Sequence, residues 1–178
     1  FESQRICKKL GDDIGIAWVD ASLADIYLSQ EQWSDAVQYY KSALPIFVTS
    51  GDTEMQFYSL SGIVRAYTGW GKLDSAFEAR SELEKLLPSV NVSDAKQTFF
   101  DFSARLFYQA GNYQSAYLSL FDSIEEQKRR DELNQLEQTN KFRVQFDSEL
   151  KEAQNTALVK ENEFNLERLE QQQQMQKL

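Results

Sequence analysis

Histidine is missing altogether from these 178 residues, and cysteine occurs once. Without histidine there is no imidazole base, no imidazole metal ligand and no histidine to carry a phosphoryl group. Cys7 has no possible internal disulfide partner and leaves the redox compartment open. It lies in an apolar helical pattern with Ile6 and Leu10, a poor setting for a nucleophile. Glycine (7) and proline (2) are scarce, and no Gly-rich phosphate loop can be read. No apolar run reaches the roughly 18 residues a bilayer span needs. No signal peptide is visible at Phe1. The chain does not begin with Met and reads as part of a longer protein, so that absence carries little weight. Positive charge is also short. With 19 Lys and Arg against 28 Asp and Glu the net charge is −9, whereas nucleic-acid phosphates demand a basic surface. The acidity is spread, −5 over residues 1–121 and −4 over 122–178, as on a solvated surface. Neighbouring acids such as Asp12-Asp13 and Glu125-Glu126 read as solvated faces, and Asn91-Val92-Ser93 is a weak three-residue match to a glycosylation sequon. These readings leave no expected catalytic residue, metal site, cofactor or nucleic-acid partner.

What is present is a repeat. Three stretches share a pattern at an interval of 40 residues: Trp33, Ala36 and Tyr40; Leu73, Ala76 and Arg80; Tyr113, Ala116 and Leu120. Nine residues before each Ala sits an aromatic, Tyr27, Tyr67 or Phe107, and Leu60 and Phe100 lie sixteen before the second and third. A fixed period in this range signals stacked helical hairpins, a binding scaffold rather than a catalytic fold. The small Ala36, Ala76 and Ala116 allow antiparallel helices to approach to about 8–10 Å between axes. Ala24, Val64 and Ala104 face them from the preceding helix, and the aromatics fill the space beside the contact. Gly71 and Gly111 suit the left-handed conformation of a tight helix end. The first repeat has Glu31 there, which predicts a looser turn or one of different length.

The spacing resembles the tetratricopeptide repeat in a longer form of about 40 residues. The residues that carry the likeness are Leu23, Ala24, Tyr27, Ala36, Tyr40 and Ala43 in the first repeat. In the second they are Leu60, Ile63, Tyr67, Gly71, Ala76 and Pro88, and in the third Phe100, Ala104, Phe107, Gly111, Ala116 and Leu120. Gly11-Asp12 lies 40 residues before Gly51-Asp52, and Ile6 lies 40 before Ile46. The expected organisation is therefore the end of a truncated repeat over 1–12, three repeats within 13–128 (about 17–50, 57–88 and 97–128), and a tail over 129–178. The expected fold is all-α, a hairpin solenoid followed by a long coiled-coil-like helix.

Helices are predicted over 17–30, 33–49, 53–69, 73–87, 94–110 and from 113 onward, with Asp52, Asp74 and Ser93 as caps or first-turn acids. Pro88 falls where a helix must stop. Pro45 sits inside an otherwise good helix, removes a backbone donor, and predicts either a kink or an early end.

After about residue 125 the character changes. Residues 126–178 contain neither Gly nor Pro. Phe146, Leu150, Ala153, Ala157, Phe164 and Leu178 fit one seven-residue register, spoiled by Lys160, Glu167 and Gln174. A second stripe runs through Leu158, Leu166 and Leu169. Such a seam pairs weakly. A helix this polar cannot bury enough surface to hold itself, so the alternatives are a homodimer through Phe146, Leu150, Ala153, Ala157 and Phe164, or a frayed tail.

The run Phe142-Arg143-Val144-Gln145-Phe146-Asp147-Ser148-Glu149, with Ala157-Leu158-Val159-Lys160-Glu161-Asn162-Glu163 and Leu166-Glu167-Arg168-Leu169-Glu170 after it, is similar to the linker that follows repeat arrays in bacterial membrane-bound signalling proteins. That resemblance implies an extracytoplasmic, periplasmic sensor whose linker leads to a transmembrane helix and a cytoplasmic output, most often a diguanylate cyclase or a histidine kinase. The tetratricopeptide resemblance implies a peptide or protein ligand held in a concave groove lined by the first helix of each hairpin. Carried onto this sequence, the groove residues are Trp18, Asp25 and Leu28, then Tyr58, Arg65 and Thr68, then Thr98, Asp101, Arg105 and Tyr108. The alternative is a cytoplasmic peptide-binding scaffold or regulator without a membrane link, such as the repeat domains of quorum-sensing receptors.

Overall fold

A computed structural model describes residues 2–175. The fold is all-α: among the described residues there are seven α-helices and no strand. These are α1 (Glu2–Leu10), α2 (Asp13–Ser29), α3 (Trp33–Ser50), α4 (Thr53–Trp70), α5 (Leu73–Leu86), α6 (Ala95–Gln109) and α7 (Tyr113–Met175). No described helix is long and apolar enough to cross a membrane. The chain forms two compact units, Phe1–Arg130 and Asp131–Leu178.

Within the first unit the helices are cut to length by their turns. Gly11, Gly51, Gly71 and Gly111 all adopt positive φ, and so does Glu31 at 58°. In each turn the next residue's N–H closes back on the carbonyl five residues before it: Asp12 on Cys7, Gln32 on Tyr27, Asp52 on Phe47, Lys72 on Tyr67 and Asn112 on Phe107, at 2.9–3.0 Å. This is the Schellman closure, which satisfies carbonyls that a helix end otherwise leaves open. Glu31 therefore makes the same turn as the glycines rather than a looser or longer one, at the strain a side chain meets in the left-handed region.

The residue that closes one helix also opens the next. Asp12, Asp52 and Asn112 accept from the backbone N–H of Gly15, Met55 and Ser115 at 2.8, 3.0 and 3.1 Å. Gln32 and Lys72 stand at the same place and give no side-chain cap. Capping by Asp12 starts α2 at Asp13, four residues before the periodicity suggests. One junction breaks the pattern. After α5 the chain passes through a 3-10 turn at Leu87–Ser89, with Pro88 within it, before α6 begins. Pro45 does not end its helix, since α3 runs on to Ser50.

Consecutive helices pack antiparallel. Asp25 meets Tyr40 and Asp20 meets Ser42 between α2 and α3. Phe77 meets Phe107, and Arg80 meets Ser103, between α5 and α6. Asp101 meets Ser123, and Gln97 meets Arg130, between α6 and the start of α7. Alternate helices also touch, α2 with α4 and α4 with α6. The main core joins Ala24, Ala36, Tyr40, Leu60, Val64, Leu83 and Phe99, and a second cluster joins Ala17, Ala21, Ala43, Phe47 and Met55. Ala36 and Ala76 are fully buried. Tyr40 is buried too, its ring lying against Gly62, where a methyl group would overlap it. Asp20, at the place of Leu60 and Phe100 in the later repeats, is buried and accepts from Gln4 and Ser42, both at 2.8 Å. Two neutral donors thus satisfy a carboxylate that burial would otherwise penalise.

In the second unit the helix continues through Met175. Every described side chain from Asp131 onward is exposed, including Phe146, Leu150, Ala153, Ala157 and Phe164, and also Leu158, Leu166 and Leu169. Leu178 and the side chains of Glu167, Gln174 and Met175 lie outside the described residues.

Candidate functional site

Interval and helix phase together bring residues 40 apart onto one surface of the first unit. Leu28 at the end of α2, Thr68 in α4 and Tyr108 in α6 share a repeat position, as do Arg65 and Arg105. All five line one open cavity of about 1010 Å³, joined by Asp101. Trp33, Phe102, Tyr113, Ala116, Tyr117 and Leu120 complete most of the wall.

Six of the ten groove residues expected from the sequence therefore lie together: Leu28, Arg65, Thr68, Asp101, Arg105 and Tyr108. The other four are placed elsewhere. Trp18 packs edge-on to Phe47. Thr98 is half-buried near the start of α6 and does not line the cavity. Asp25 and Tyr58 meet each other: the hydroxyls of Tyr40 and Tyr58 both donate to the Asp25 carboxylate. Burial and that carboxylate push the Tyr58 phenol up to about 12, and the same causes raise Tyr40 further. Asp25 is thus a structural acceptor tying α2 to α3 and α4.

Periodicity also left out part of the wall. Trp33 and Tyr113 occupy one repeat position and read as hairpin packing residues, yet both line the cavity. For Trp33 the signal that could have found it is Gly69. A Cβ there would come within 2.9 Å of the Trp33 ring, so only glycine lets the indole lie against α4. Tyr113 stands edge-on to Tyr108, with ring centroids 5.5 Å apart.

The charges are arranged asymmetrically. Asp101 accepts from Ser123 at 2.6 Å, which occupies one of its oxygens. Arg65 lies over the Phe102 ring, 5.7 Å from its centroid. Among the described residues neither Arg65 nor Arg105 joins an ion pair. Both are exposed. Guanidinium groups hold carboxylates through paired hydrogen bonds, and aromatic walls offer a large apolar contact with polar edges. The lining therefore sets two guanidinium groups and one carboxylate beside aromatic and aliphatic walls. Among the described residues no group of three His, Cys, Asp or Glu side chains could hold a metal ion.

No protein-family model matches this chain, and no curated protein matches it.

Proposed function

We propose that the first unit is a non-catalytic binding module whose cavity takes a peptide or protein segment that is acidic and apolar. The observation that carries this reading is the convergence of Arg65 and Arg105, 40 residues apart, on one aromatic-walled cavity, with neither in an ion pair among the described residues. The tail resembles the linkers of membrane-bound sensors. On that resemblance the proposal extends to a periplasmic sensor that relays binding through α7 to an output such as a diguanylate cyclase, with the exposed stripe from Phe146 to Phe164 as a pairing surface. A ligand would shift such a relay only by its differential affinity for two states.

The test is binding of an arrayed set of acidic-aromatic peptides, read by fluorescence anisotropy. Arg105→Ala is expected to weaken capture at least fivefold, while Lys72→Ala, whose ammonium lies over Trp70 away from the cavity, leaves it unchanged. Equal effects from both variants would move the binding site off the cavity.

A further inference from the structure

The repeat translates contacts as well as residues. In α3, Val37 and Tyr40 are buried, and Tyr40 packs on Gly62 and Tyr58 of α4. Forty residues on, Phe77 packs on Phe107 of α6. Arg80 donates to Ser103 and lies over Phe99, 4.6 Å from that ring's centroid. Tyr40 in the one case, and Phe77 and Arg80 in the other, receive the first helix of the following hairpin. Another forty residues bring the pattern to Tyr117 and Leu120. These are 68% and 50% exposed and line the cavity. The same step applies to charge. Arg65 of α4 reaches over Phe102 of the following first helix, whereas Arg105 of α6 is exposed at the cavity and joins no ion pair among the described residues.

We propose that Tyr117, Leu120 and Arg105 seat an amphipathic α-helix supplied by a partner protein, docked as a further first helix of the array. Its apolar face covers Tyr117 and Leu120, and acidic side chains along its edge meet Arg105 and Arg65. This rests on the reading of the cavity as a binding site and narrows the occupant from any peptide to a helix. Two observations select it. The contacts that Tyr40 and Arg80 make are contacts with helices, so the surface that repeats them has a helix-shaped complement. Among the described residues neither guanidinium group joins an ion pair, which selects an acidic occupant by charge complementarity.

The probe is a side-chain-stapled helical peptide with the sequence of residues 12–29, this chain's own acidic α2 with its cap. A matched, unstapled peptide carries Ala21→Pro and cannot hold the helix. Anisotropy measures binding to the full chain, and circular dichroism of the complex measures peptide helicity. Expected are binding of the stapled peptide, at least tenfold weaker binding of the proline peptide, and at least tenfold loss with Tyr117→Asp or Leu120→Asp. Replacing the peptide's aspartates by asparagine should weaken binding and remove the effect of Arg105→Ala. The thermal melt of each protein variant checks folding. Tyr117→Ser serves as a second, milder variant expected to lose binding in the same direction.

Equal binding of both peptides would overturn the helix and leave the cavity as a site for extended peptides. Binding of neither, where arrayed acidic-aromatic peptides still bind in an Arg105-dependent way, would overturn the helix alone. Failure of every peptide would overturn the helix and the cavity reading together. Self-association of the chain that Tyr117→Asp abolishes would overturn the partner in favour of a second copy.

Discussion

One helix, α7, shows two kinds of sequence. Up to Arg130 it buries Ala116, Ser119 and Ser123 and exchanges hydrogen bonds with α6. From Asp131 onward every described side chain is exposed. Both parts are helical, for different reasons. The array is held by burial: Tyr40, Phe47, Val64, Leu83 and Leu106 lie entirely inside. The tail is held by good helix formers and by local, solvent-screened pairs such as Lys141 with Glu137 at 2.7 Å. Helicity alone therefore says little about where the folding energy resides.

The largest effect should come from substituting one aromatic in each region. Tyr40→Ala removes a fully buried ring and one of the two donors to Asp25, and is expected to cost about 3–5 kcal/mol in urea unfolding. Phe146→Ala, at an exposed site, should stay within about 0.5 kcal/mol. A comparable loss at Phe146 would mean that pairing buries the tail in solution, and the contrast would fall. Gly62→Ala tests the same core from the other side. The added methyl overlaps the Tyr40 ring, which predicts a loss of about 1–3 kcal/mol from overpacking.

Turn substitutions sharpen the account of how the array is cut into helices. Gly71→Ala keeps a φ of 75° that a Cβ disfavours, and should cost about 1 kcal/mol or slightly more. Glu31→Gly should do the reverse, gaining less than about 1 kcal/mol because the freer unfolded chain offsets part of the relief. Thermal melts at fixed pH check both. Destabilisation by Glu31→Gly would show that Glu31 holds the turn through its side chain.

Alkaline pH probes the Asp25 cluster. The Tyr58 phenol is raised to about 12 in the folded chain against about 10 when unfolded. Between these values the unfolded chain has lost a proton that the folded chain keeps, so stability falls as pH rises. The contribution is complete below pH about 10 and declines through the window up to about 12. Tyr58→Phe should flatten that part of the melting-temperature profile, and an unchanged slope would remove Tyr58 as its source.

Much of the array was legible because it repeats. Ala36, Ala76 and Ala116, the aromatics nine residues before them, and the turn glycines gave helix type and boundaries to within a few residues. The start of α2 was misplaced because Asp12 caps at a distance from the apolar pattern, and the Glu31 turn because a left-handed glutamate has no sequence signature. At the site, a repeat position places residues on a face but says nothing of who already holds them. Asp25 is drawn inward by Tyr40 and Tyr58, a pairing across three helices that no local spacing shows. Trp33 joins the wall because Gly69 makes room, again a contact between helices. The tail offered least. A broken register specifies neither a partner nor a free helix.

The smallest effect expected is on folding, from removing the tail. A chain ending at Arg130 retains the whole first unit, with the Asp101–Ser123 and Gln97–Arg130 contacts that fasten α7 to α6. Its melting temperature should match that of the full chain within the shift an exposed substitution produces, because no described side chain beyond Asp131 is buried. Association is a separate readout of the same truncation. Phe146, Leu150, Ala153, Ala157 and Phe164 offer one seam, and Lys160 interrupts it with a charge, so pairing should be weak and concentration-dependent. Analytical ultracentrifugation should show self-association of the full chain at high concentration and none after truncation. Equal association of both forms would place the contact in the array, where Tyr117 and Leu120 are among the exposed apolar residues to examine next. A full chain that stays monomeric at every concentration would show that this seam does not pair by itself.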